Sequence, residues 1–242
     1  MPDFTAAREQ MVARQIVGRG ISDRRLIEAM RDVSRHEFVP ADLVAFAYDD
    51  SPLPIEADQT ISQPYIVALM IEAAEIAPGD KVLEIGAGSG YAAAVMSRIA
   101  SHVIAIERHR ELAELAADRM RRLGYDNVHI IHGDGSRGCA EEAPFDAILA
   151  AASGSHVPDV LMRQLSVGGT LVMPVGEPAL LDQVLHRRRL GEEDFEQEDL
   201  GPVRFVPLIG EHGWTDRSRP GEAGAEPGTS STPGSGSPGS GR

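Results

Sequence analysis

The sequence predicts an α/β protein with a mostly parallel, twisted sheet that carries helices on both faces. Short apolar segments alternate with helical segments from residue 79 to about residue 210, and a chain of alternating βαβ units folds into a parallel sheet. A glycine-rich loop follows the first expected strand, at residues 86–90. Open sheets of this Rossmann-like kind bind their ligands at the carboxyl ends of the strands.

The expected elements follow one another in the order that such a sheet requires. Val, Ile and Leu dominate the short strand segments, and Gly124 ends one helix with a residue that accepts a left-handed backbone. The expected strands are residues 81–85, 103–106, 128–131, 147–151 and 170–175, and the expected helices are residues 92–100 and 111–123.

The last part of the sheet departs from this alternation. Residues 181–189 and 203–208 are expected to form a late antiparallel pair of strands. The segment between them is rich in acids, and such a run is usually a solvated loop. Its acidic residues are Glu192, Glu193, Asp194, Glu196, Glu198 and Asp199.

Changes in composition divide the chain into three parts. Residues 1–75 mix helical periodicity with proline-bounded loops and predict an N-terminal helical extension. Residues 76–212 form the expected ligand-binding core. Residues 213–242 are rich in Gly, Ser and Pro. They carry too little apolar surface to offset the loss of conformational entropy on ordering, so a disordered tail is expected.

Net charge and cysteine content limit the cellular compartments and the binding partners that can be expected. A formal net charge of −14 disfavours nucleic acids and anionic membranes, which attract positive surfaces. No apolar run reaches the roughly 18 residues of a membrane span, and the first residues do not resemble a signal peptide. The single cysteine, Cys139, has no partner for a disulfide. We therefore expect a cytoplasmic protein, and we expect it to be a monomer.

The glycine-rich loop differs from the loops that bind phosphates. A dinucleotide loop would have its third glycine at position 91, where Tyr91 stands, and the Lys-Ser/Thr ending of a phosphate loop is absent. Glu84, just before the loop, would repel a pyrophosphate. S-adenosylmethionine carries an ammonium and a sulfonium and no phosphate, and an acidic residue followed by three alternate glycines is the usual signature of its fold. The expected cofactor-binding residues here are Glu84, Gly86, Gly88, Ser89 and Gly90.

Two further strand ends strengthen the prediction of a cofactor site. Glu107 ends the second strand, where a carboxylate accepts hydrogen bonds from ribose hydroxyls in nucleotide-binding folds, and Arg108 follows it. Asp134 and Gly135 follow the third strand, and Asp134 is placed to meet the adenine amino group. Because the carboxyl ends of parallel strands share one edge, these residues are expected to converge with the glycine loop on S-adenosylmethionine.

Five short segments outside the glycine loop form a specific pattern. Each is brief, but together they extend from one end of the predicted fold to the other. They are residues 35–40 (Arg-His-Glu-Phe-Val-Pro), 59–65 (Gln-Thr-Ile-Ser-Gln-Pro-Tyr), 143–148 (Ala-Pro-Phe-Asp-Ala-Ile), 174–176 (Pro-Val-Gly) and 203–208 (Val-Arg-Phe-Val-Pro-Leu).

With these segments in register over roughly residues 10–212, the chain resembles the protein-L-isoaspartate (D-aspartate) O-methyltransferase family. The resemblance implies the S-adenosylmethionine-dependent methyltransferase fold with a rearranged pair of final strands. It also implies methylation of the free α-carboxyl of L-isoaspartyl residues in peptides and proteins. The ester then collapses to a succinimide without enzymatic help, and hydrolysis returns some normal aspartate, which makes the reaction a repair.

The same resemblance implies which residues face the substrate. Ser62 matches the serine that the family treats as its active-site residue. Thr60 and Ile61 beside it, and Arg204 and Val206 near the end of the fold, match substrate-facing elements. The resemblance implies no metal ligand. An ionised carboxylate needs no strong base to attack the sulfonium methyl group, so we expect Ser62 to orient the carboxylate by a hydrogen bond.

Two departures from the family pattern leave alternatives open. Residues 56–58 (Glu-Ala-Asp) replace a stretch that usually contains glycine, and proline does not closely follow Ala151 and Ala152. One alternative is a methyltransferase that acts on an aspartate of a dedicated precursor peptide and forms aspartimide or isoaspartate. Another is a catalytically inactive protein that binds the cofactor and serves as an interaction module. Methylation of nucleic acids is disfavoured by the negative charge.

Overall fold

A seven-stranded sheet forms the centre of the computed structural model, which describes residues 3–177, 181–191 and 193–215. A separate two-stranded hairpin precedes it. In chain order the strands are β1 (Leu53–Pro54), β2 (Thr60–Ile61), β3 (Lys81–Ile85), β4 (His102–Glu107), β5 (Val128–His132), β6 (Phe145–Ala150), β7 (Leu165–Val175), β8 (Asp182–Arg189) and β9 (Phe195–Val203).

The sheet is mostly parallel, as the sequence predicts. Its strand order is β5-β4-β3-β6-β7-β8-β9. The first five strands of this order run parallel to one another, whereas β8 and β9 are added as antiparallel neighbours. The chain crosses back after β5 to place β6 beside β3, so the carboxyl ends of β3, β4 and β6 lie together where such sheets bind ligands.

Six α-helices lie within the described ranges. Asp3 caps the first of them, and Asp23 caps the second by accepting hydrogen bonds from two main-chain N–H groups of its first turn. A π-helical segment, Val12–Ile16, extends the first helix. The helices are α1 (Phe4–Met11), α2 (Arg24–Asp32), α3 (Pro64–Ala73), α4 (Tyr91–Ser97), α5 (Arg110–Leu123) and α6 (Asp159–Arg163).

Side chains alternate across the sheet and build two hydrophobic clusters. Val82 of β3 belongs to one cluster and Leu83 to the other, because successive residues of a strand face opposite sides. The first cluster also contains Met11 and Leu26 from helices α1 and α2. The N-terminal extension therefore shares a core with the sheet. No helix in the described part of the chain has both the length and the apolar character needed to cross a membrane.

The prediction for the last strand is wrong. Residues 195–203 form β9, and residues 204–206 are irregular. Part of the acidic run is not a loop, since Glu196 and Glu198 lie in β9 opposite Arg188 and His186 of β8, whereas Glu193 and Asp194 precede the strand. Glu196 and Arg188 carry opposite charges on facing positions, which favours the antiparallel pair, and charged residues suit an exposed sheet edge. Apolar periodicity alone did not reveal this strand.

The predicted tail begins too early. Trp214 is folded: its indole N–H donates to the Ser153 carbonyl oxygen over 3.1 Å, and its main-chain N–H donates to the Leu208 carbonyl oxygen over 2.7 Å. These two hydrogen bonds hold Trp214 against the segment that follows β9. The remainder of the predicted tail, residues 216–242, lies outside the described residues.

Candidate active site

A cavity of about 680 Å³ lies at the carboxyl ends of β3, β4 and β6, where the sequence predicts the ligand site. The β1–β2 hairpin, helix α3 and the segment after β9 also contribute to its wall. The structure thus brings together residues that are far apart in the chain. The predicted site residues that line the cavity are Thr60, Ile61, Ser62, Glu84, Gly86, Gly88, Ser89, Glu107, Arg108, Gly135, Arg204 and Val206.

Main-chain hydrogen bonds hold the glycine loop against the end of β4. The N–H groups of Gly86 and Ala87 donate to the Ile106 carbonyl oxygen over 2.8 and 3.2 Å. Gly86 and Gly88 have φ values of 85° and 53°, a left-handed backbone that glycine adopts without strain. The loop therefore presents main chain to the cavity, which leaves room for a ligand to approach closely.

Glu107 joins the end of β4 to this loop. One carboxylate oxygen accepts the N–H of Gly88 over 2.8 Å, and the other accepts the N–H of His109 over 2.9 Å. The side chain is buried yet lines the cavity. Each carboxylate oxygen can accept more than one hydrogen bond, so Glu107 has the capacity to accept hydroxyl groups of a ligand while it holds the loop.

Glu84 is a fully buried carboxyl group at the end of β3. Burial raises its pKa well above the ordinary value, and the nearby charge of Glu107 raises it further, while the N–H of Ala93 in helix α4 acts in the opposite direction. Its Oε2 atom has no hydrogen-bond partner. A buried carboxyl group with an unpartnered oxygen on a cavity wall suits a ligand that carries positive charge or a hydrogen-bond donor.

Two predicted cofactor residues do not line the cavity. Gly90 precedes helix α4 with a φ of 87°, and a Cβ atom there would lie 3.4 Å from the Cβ of Ala116 and 2.8 Å from the Cε of Met120, both on helix α5. The absence of a side chain lets α4 begin close to α5. The structure therefore gives Gly90 a packing role between α4 and α5, and its contact with the cofactor stays a prediction.

The carboxylate of Asp134 points toward the C-terminal part of the fold. Its carboxylate accepts the main-chain N–H and the hydroxyl of Ser136 over 2.9 and 2.7 Å, and the N–H of Glu211 over 2.8 Å. Partial burial raises the pKa of Asp134, but these hydrogen bonds outweigh it and the pKa lies below the ordinary value. Asp134 fixes the loop after β5 and Gly135 lines the cavity, while a contact of Asp134 with the cofactor stays a prediction.

The residues predicted to face the substrate lie on two segments, and each segment is fixed by hydrogen bonds with a side chain outside the cavity lining. Ser62 follows β2, and its carbonyl oxygen accepts a hydrogen bond of 2.8 Å from the Nη2 atom of Arg35. The segment after β9 is held by Asp182, which accepts the N–H of Phe205 over 3.1 Å and the hydroxyl of Ser153 over 2.5 Å. Sequence patterns did not identify Arg35 and Asp182 as supports, because both contacts are remote in the chain.

The loop that departs from the family pattern has an unusual backbone. Ala57 and Asp58 have φ values of 56° and 55°, a region that residues with a side chain enter at a conformational cost. Glu56 lies 3.7 Å from Arg119 of helix α5, and Arg119 donates to the Ser89 carbonyl oxygen over 3.3 Å. The loop is thereby linked to the glycine loop, and Asp58 lines the cavity.

These residues fit a cationic ligand without phosphate. A phosphate group would meet the buried carboxyl groups of Glu84 and Glu107, whereas the ammonium and sulfonium of S-adenosylmethionine would be attracted to them. No group of three or more His, Cys, Asp or Glu side chains in the described ranges could hold a metal ion. Fold and site together place the chain among the S-adenosylmethionine-dependent methyltransferases.

Comparison with known proteins identifies the particular family. The chain belongs to the family described as protein-L-isoaspartate(D-aspartate) O-methyltransferase, whose profile matches residues 6–213. A protein-L-isoaspartate O-methyltransferase of Rhodopseudomonas palustris is 51% identical over 218 residues, which are 90% of this chain and 100% of that protein. One from Methylorubrum populi is 55% identical over 204 residues, which are 84% of this chain and 95% of that protein.

Solved structures support the same family and the cofactor. A protein-L-isoaspartate O-methyltransferase structure with 30% identity matches with a TM-score of 0.78 and covers 85% of this chain and 67% of its own. A Plasmodium falciparum structure of that description, in complex with S-adenosyl-L-homocysteine, has 26% identity and a TM-score of 0.73, and it covers 86% of this chain and 99% of its own. The predicted fold class, family and cofactor are confirmed.

We predict that Glu84→Gln stabilises the cofactor-free protein at neutral pH and weakens cofactor binding. A carboxyl group whose pKa rises on folding holds its proton more tightly in the folded chain. The wild-type protein therefore loses free energy of unfolding as the pH rises above the ordinary carboxyl range. The neutral amide removes this loss, but it cannot offset a positive charge, and affinity should fall about 10- to 100-fold.

Denaturant unfolding at pH 5 and pH 8, with calorimetric titration of S-adenosylmethionine, would test the Glu84 prediction. The stability advantage of the variant over wild type should be larger at pH 8 than at pH 5. Wild-type affinity, or a variant that is less stable than wild type at pH 8, would contradict it.

We also predict that Gly135→Ala weakens cofactor binding whereas Gly133→Ala does not. A Cβ atom at Gly135 would lie 2.6 Å from the Cγ2 atom of Ile85, a buried residue at the end of β3. Overpacking of this kind costs about 1–3 kcal/mol and displaces the cavity wall. At Gly133 the nearest atom would be 3.8 Å away, which is an ordinary contact. Titration with S-adenosylhomocysteine compares the two variants, and equal affinities would refute the prediction.

Proposed function

We propose that this chain transfers the methyl group of S-adenosylmethionine to the free α-carboxyl of L-isoaspartyl residues in peptides and proteins. The observation that carries the proposal is that one cavity is lined both by the cofactor-side residues Glu84 and Glu107 and by the substrate-side residues Ser62 and Arg204. Membership of the protein-L-isoaspartate(D-aspartate) O-methyltransferase family supplies the substrate class. The methyl ester then cyclises to a succinimide, which begins repair.

The cofactor side of the cavity binds and orients the methyl donor. When bound, S-adenosylmethionine supplies an electrophilic methyl group on its sulfonium. We assign the cofactor contacts to Glu84, Glu107 and the main chain of the glycine loop, with Ser89, Arg108 and Gly135 on the same wall. Acidic side chains and fixed N–H groups already in place need little reorganisation when the ligand binds.

The substrate side aligns a carboxylate that is already a competent nucleophile. A carboxyl group with a pKa near 4 is ionised at neutral pH, so the reaction forms a C–O bond as the C–S bond breaks, and no proton has to be removed. Ser62 donates a hydrogen bond that orients the carboxylate, and Thr60, Ile61, Arg204 and Val206 contact the peptide. Alignment and exclusion of water can supply most of the rate acceleration.

The relatives favour repair over the modification of a dedicated precursor peptide. Identities of 51% and 55% over most of the chain are to proteins named for isoaspartate methylation. We further propose that the enzyme acts as a monomer in the cytoplasm, with no nucleic-acid or membrane partner, in keeping with its net charge of −14. In this proposal residues 1–75 carry the substrate loop and residues 76–212 hold the cofactor.

A paired-peptide assay tests the proposed reaction. Two synthetic peptides, identical except for L-isoaspartate or L-aspartate at one position, are incubated with the protein and S-adenosylmethionine labelled in its methyl group. We expect base-labile labelling of the isoaspartyl peptide and none of the aspartyl peptide, because at the varied position only isoaspartate leaves its α-carboxyl free. Labelling of the aspartyl peptide, or of neither, would contradict the proposal.

We predict that Ser62→Ala lowers kcat/KM for the isoaspartyl peptide by about 10- to 100-fold, the effect of losing one hydrogen bond to a charged group. Affinity for S-adenosylhomocysteine should stay at the wild-type value, since Ser62 serves the carboxylate. The same labelling assay and a calorimetric titration measure both quantities. Unchanged kcat/KM would remove Ser62 from the site.

A further inference from the structure

Arg35 is a buried cation behind the active-site serine. Its side chain is fully buried, with a relative exposure of 0%. The Nε atom donates to the Ala47 carbonyl oxygen and the Nη2 atom donates to the Ser62 carbonyl oxygen, both over 2.8 Å. One rigid guanidinium therefore spans the N-terminal extension and the main chain of Ser62.

The same guanidinium also contacts the cofactor side. Its Cζ atom lies 4.8 Å from the centre of the Tyr91 ring. Tyr91 is the first residue of helix α4, directly after the glycine loop, and it lines the cavity. Arg35 thus sits between the two structural units that have to be aligned for methyl transfer, the loop with Ser62 and the start of the helix behind the cofactor.

No carboxylate within the described part of the chain forms an ion pair with Arg35, and its Nη1 atom has no hydrogen-bond partner. Burial lowers the pKa of Arg35, with the nearby Tyr91 and Tyr48 acting in the opposite direction. A buried arginine used only for stability would ordinarily be paired with an acid or replaced by an apolar residue. Its fork of N–H groups instead matches two carbonyl oxygens at fixed positions.

We propose that Arg35 is a positioning residue for methyl transfer, which fixes the main chain of Ser62 so that the substrate carboxylate meets the methyl group in line. The inference rests on the proposed function, because Ser62 has to serve the carboxylate. Lysine at this position retains the charge, but its single ammonium cannot reproduce the fork that spans Ala47 and Ser62. The loop that carries Ser62 would then lose one of its supports without any change in the cavity lining.

The test compares kcat, cofactor affinity and stability in Arg35→Lys and Arg35→Gln. The glutamine variant removes the buried charge and so avoids the desolvation of an ammonium group, which keeps a folded protein available. We expect kcat for the isoaspartyl peptide to fall by about 10- to 100-fold in both variants, the effect of a small misalignment of reacting groups. Affinity for S-adenosylhomocysteine should remain at the wild-type value.

A double-mutant cycle separates positioning from general damage. If Arg35 acts through Ser62, Arg35→Lys should have little further effect in a Ser62→Ala background, so the two effects on kcat are not additive. Arg31→Lys is the control. Arg31 forms an exposed ion pair with Glu9 over 3.2 Å in the same N-terminal extension, does not line the cavity, and its replacement should leave kcat unchanged.

Several outcomes would overturn the inference. These are wild-type kcat in both Arg35 variants at a temperature where they are folded, a parallel loss of S-adenosylhomocysteine affinity, or additive effects in the cycle. The wild-type protein is assayed first with the paired peptides. A wild-type protein that labels neither peptide refutes the proposed function itself, whereas active wild type with equally active Arg35 variants refutes only the role of Arg35.

Discussion

The ligand site depends on the carboxylate of Glu107, which ties the glycine loop after β3 to the end of β4. These two strands are parallel neighbours, and no turn connects them where their carboxyl ends meet. The bonds from Gly88 and His109 to Glu107 take the place of such a connection. They keep the loop near the buried carboxyl group of Glu84, so that two acidic side chains line one cavity. A donor with positive charge relieves the repulsion between them.

The two halves of the cavity are constructed differently. The cofactor half is local, because its loops follow consecutive strands and their positions come from the sheet itself. The half that we propose for the substrate is assembled from a hairpin near residue 60 and a segment near residue 205, and neither is part of the seven-stranded sheet. A buried polar side chain fixes each of them by a hydrogen bond to main chain: Arg35 binds Ser62, and Asp182 binds Phe205. Precision in this half therefore comes from hydrogen bonds to main chain.

Much of the fold could be predicted from the sequence, because apolar periodicity and glycine positions determine β3 to β7 and helix α5. Strand β9 was missed because most of its residues are polar and exposed, so no apolar alternation marks it, and main-chain pairing with β8 holds it in the sheet. The sequence motifs contain many of the residues that line the cavity, but they do not show in which direction each side chain points. Asp134 is at the expected place and faces the end of the fold, and Gly90 serves helix packing. Arg35 lay inside a recognised motif, but its partners depend on tertiary contacts.

The two segments proposed to bind the substrate lie far apart in the chain, so they are made at different times during synthesis. A chain emerging from the ribosome has the cavity residues at the ends of β3, β4 and β6 once residue 152 has been made, yet the opposite wall is incomplete until residues 202–208 follow. Trp214 then closes that segment by bonding to Ser153 and Leu208. The proposed acceptor side is thus completed last, and a nascent or clipped chain that lacks residues 202–214 retains the proposed donor-binding residues without a complete cavity.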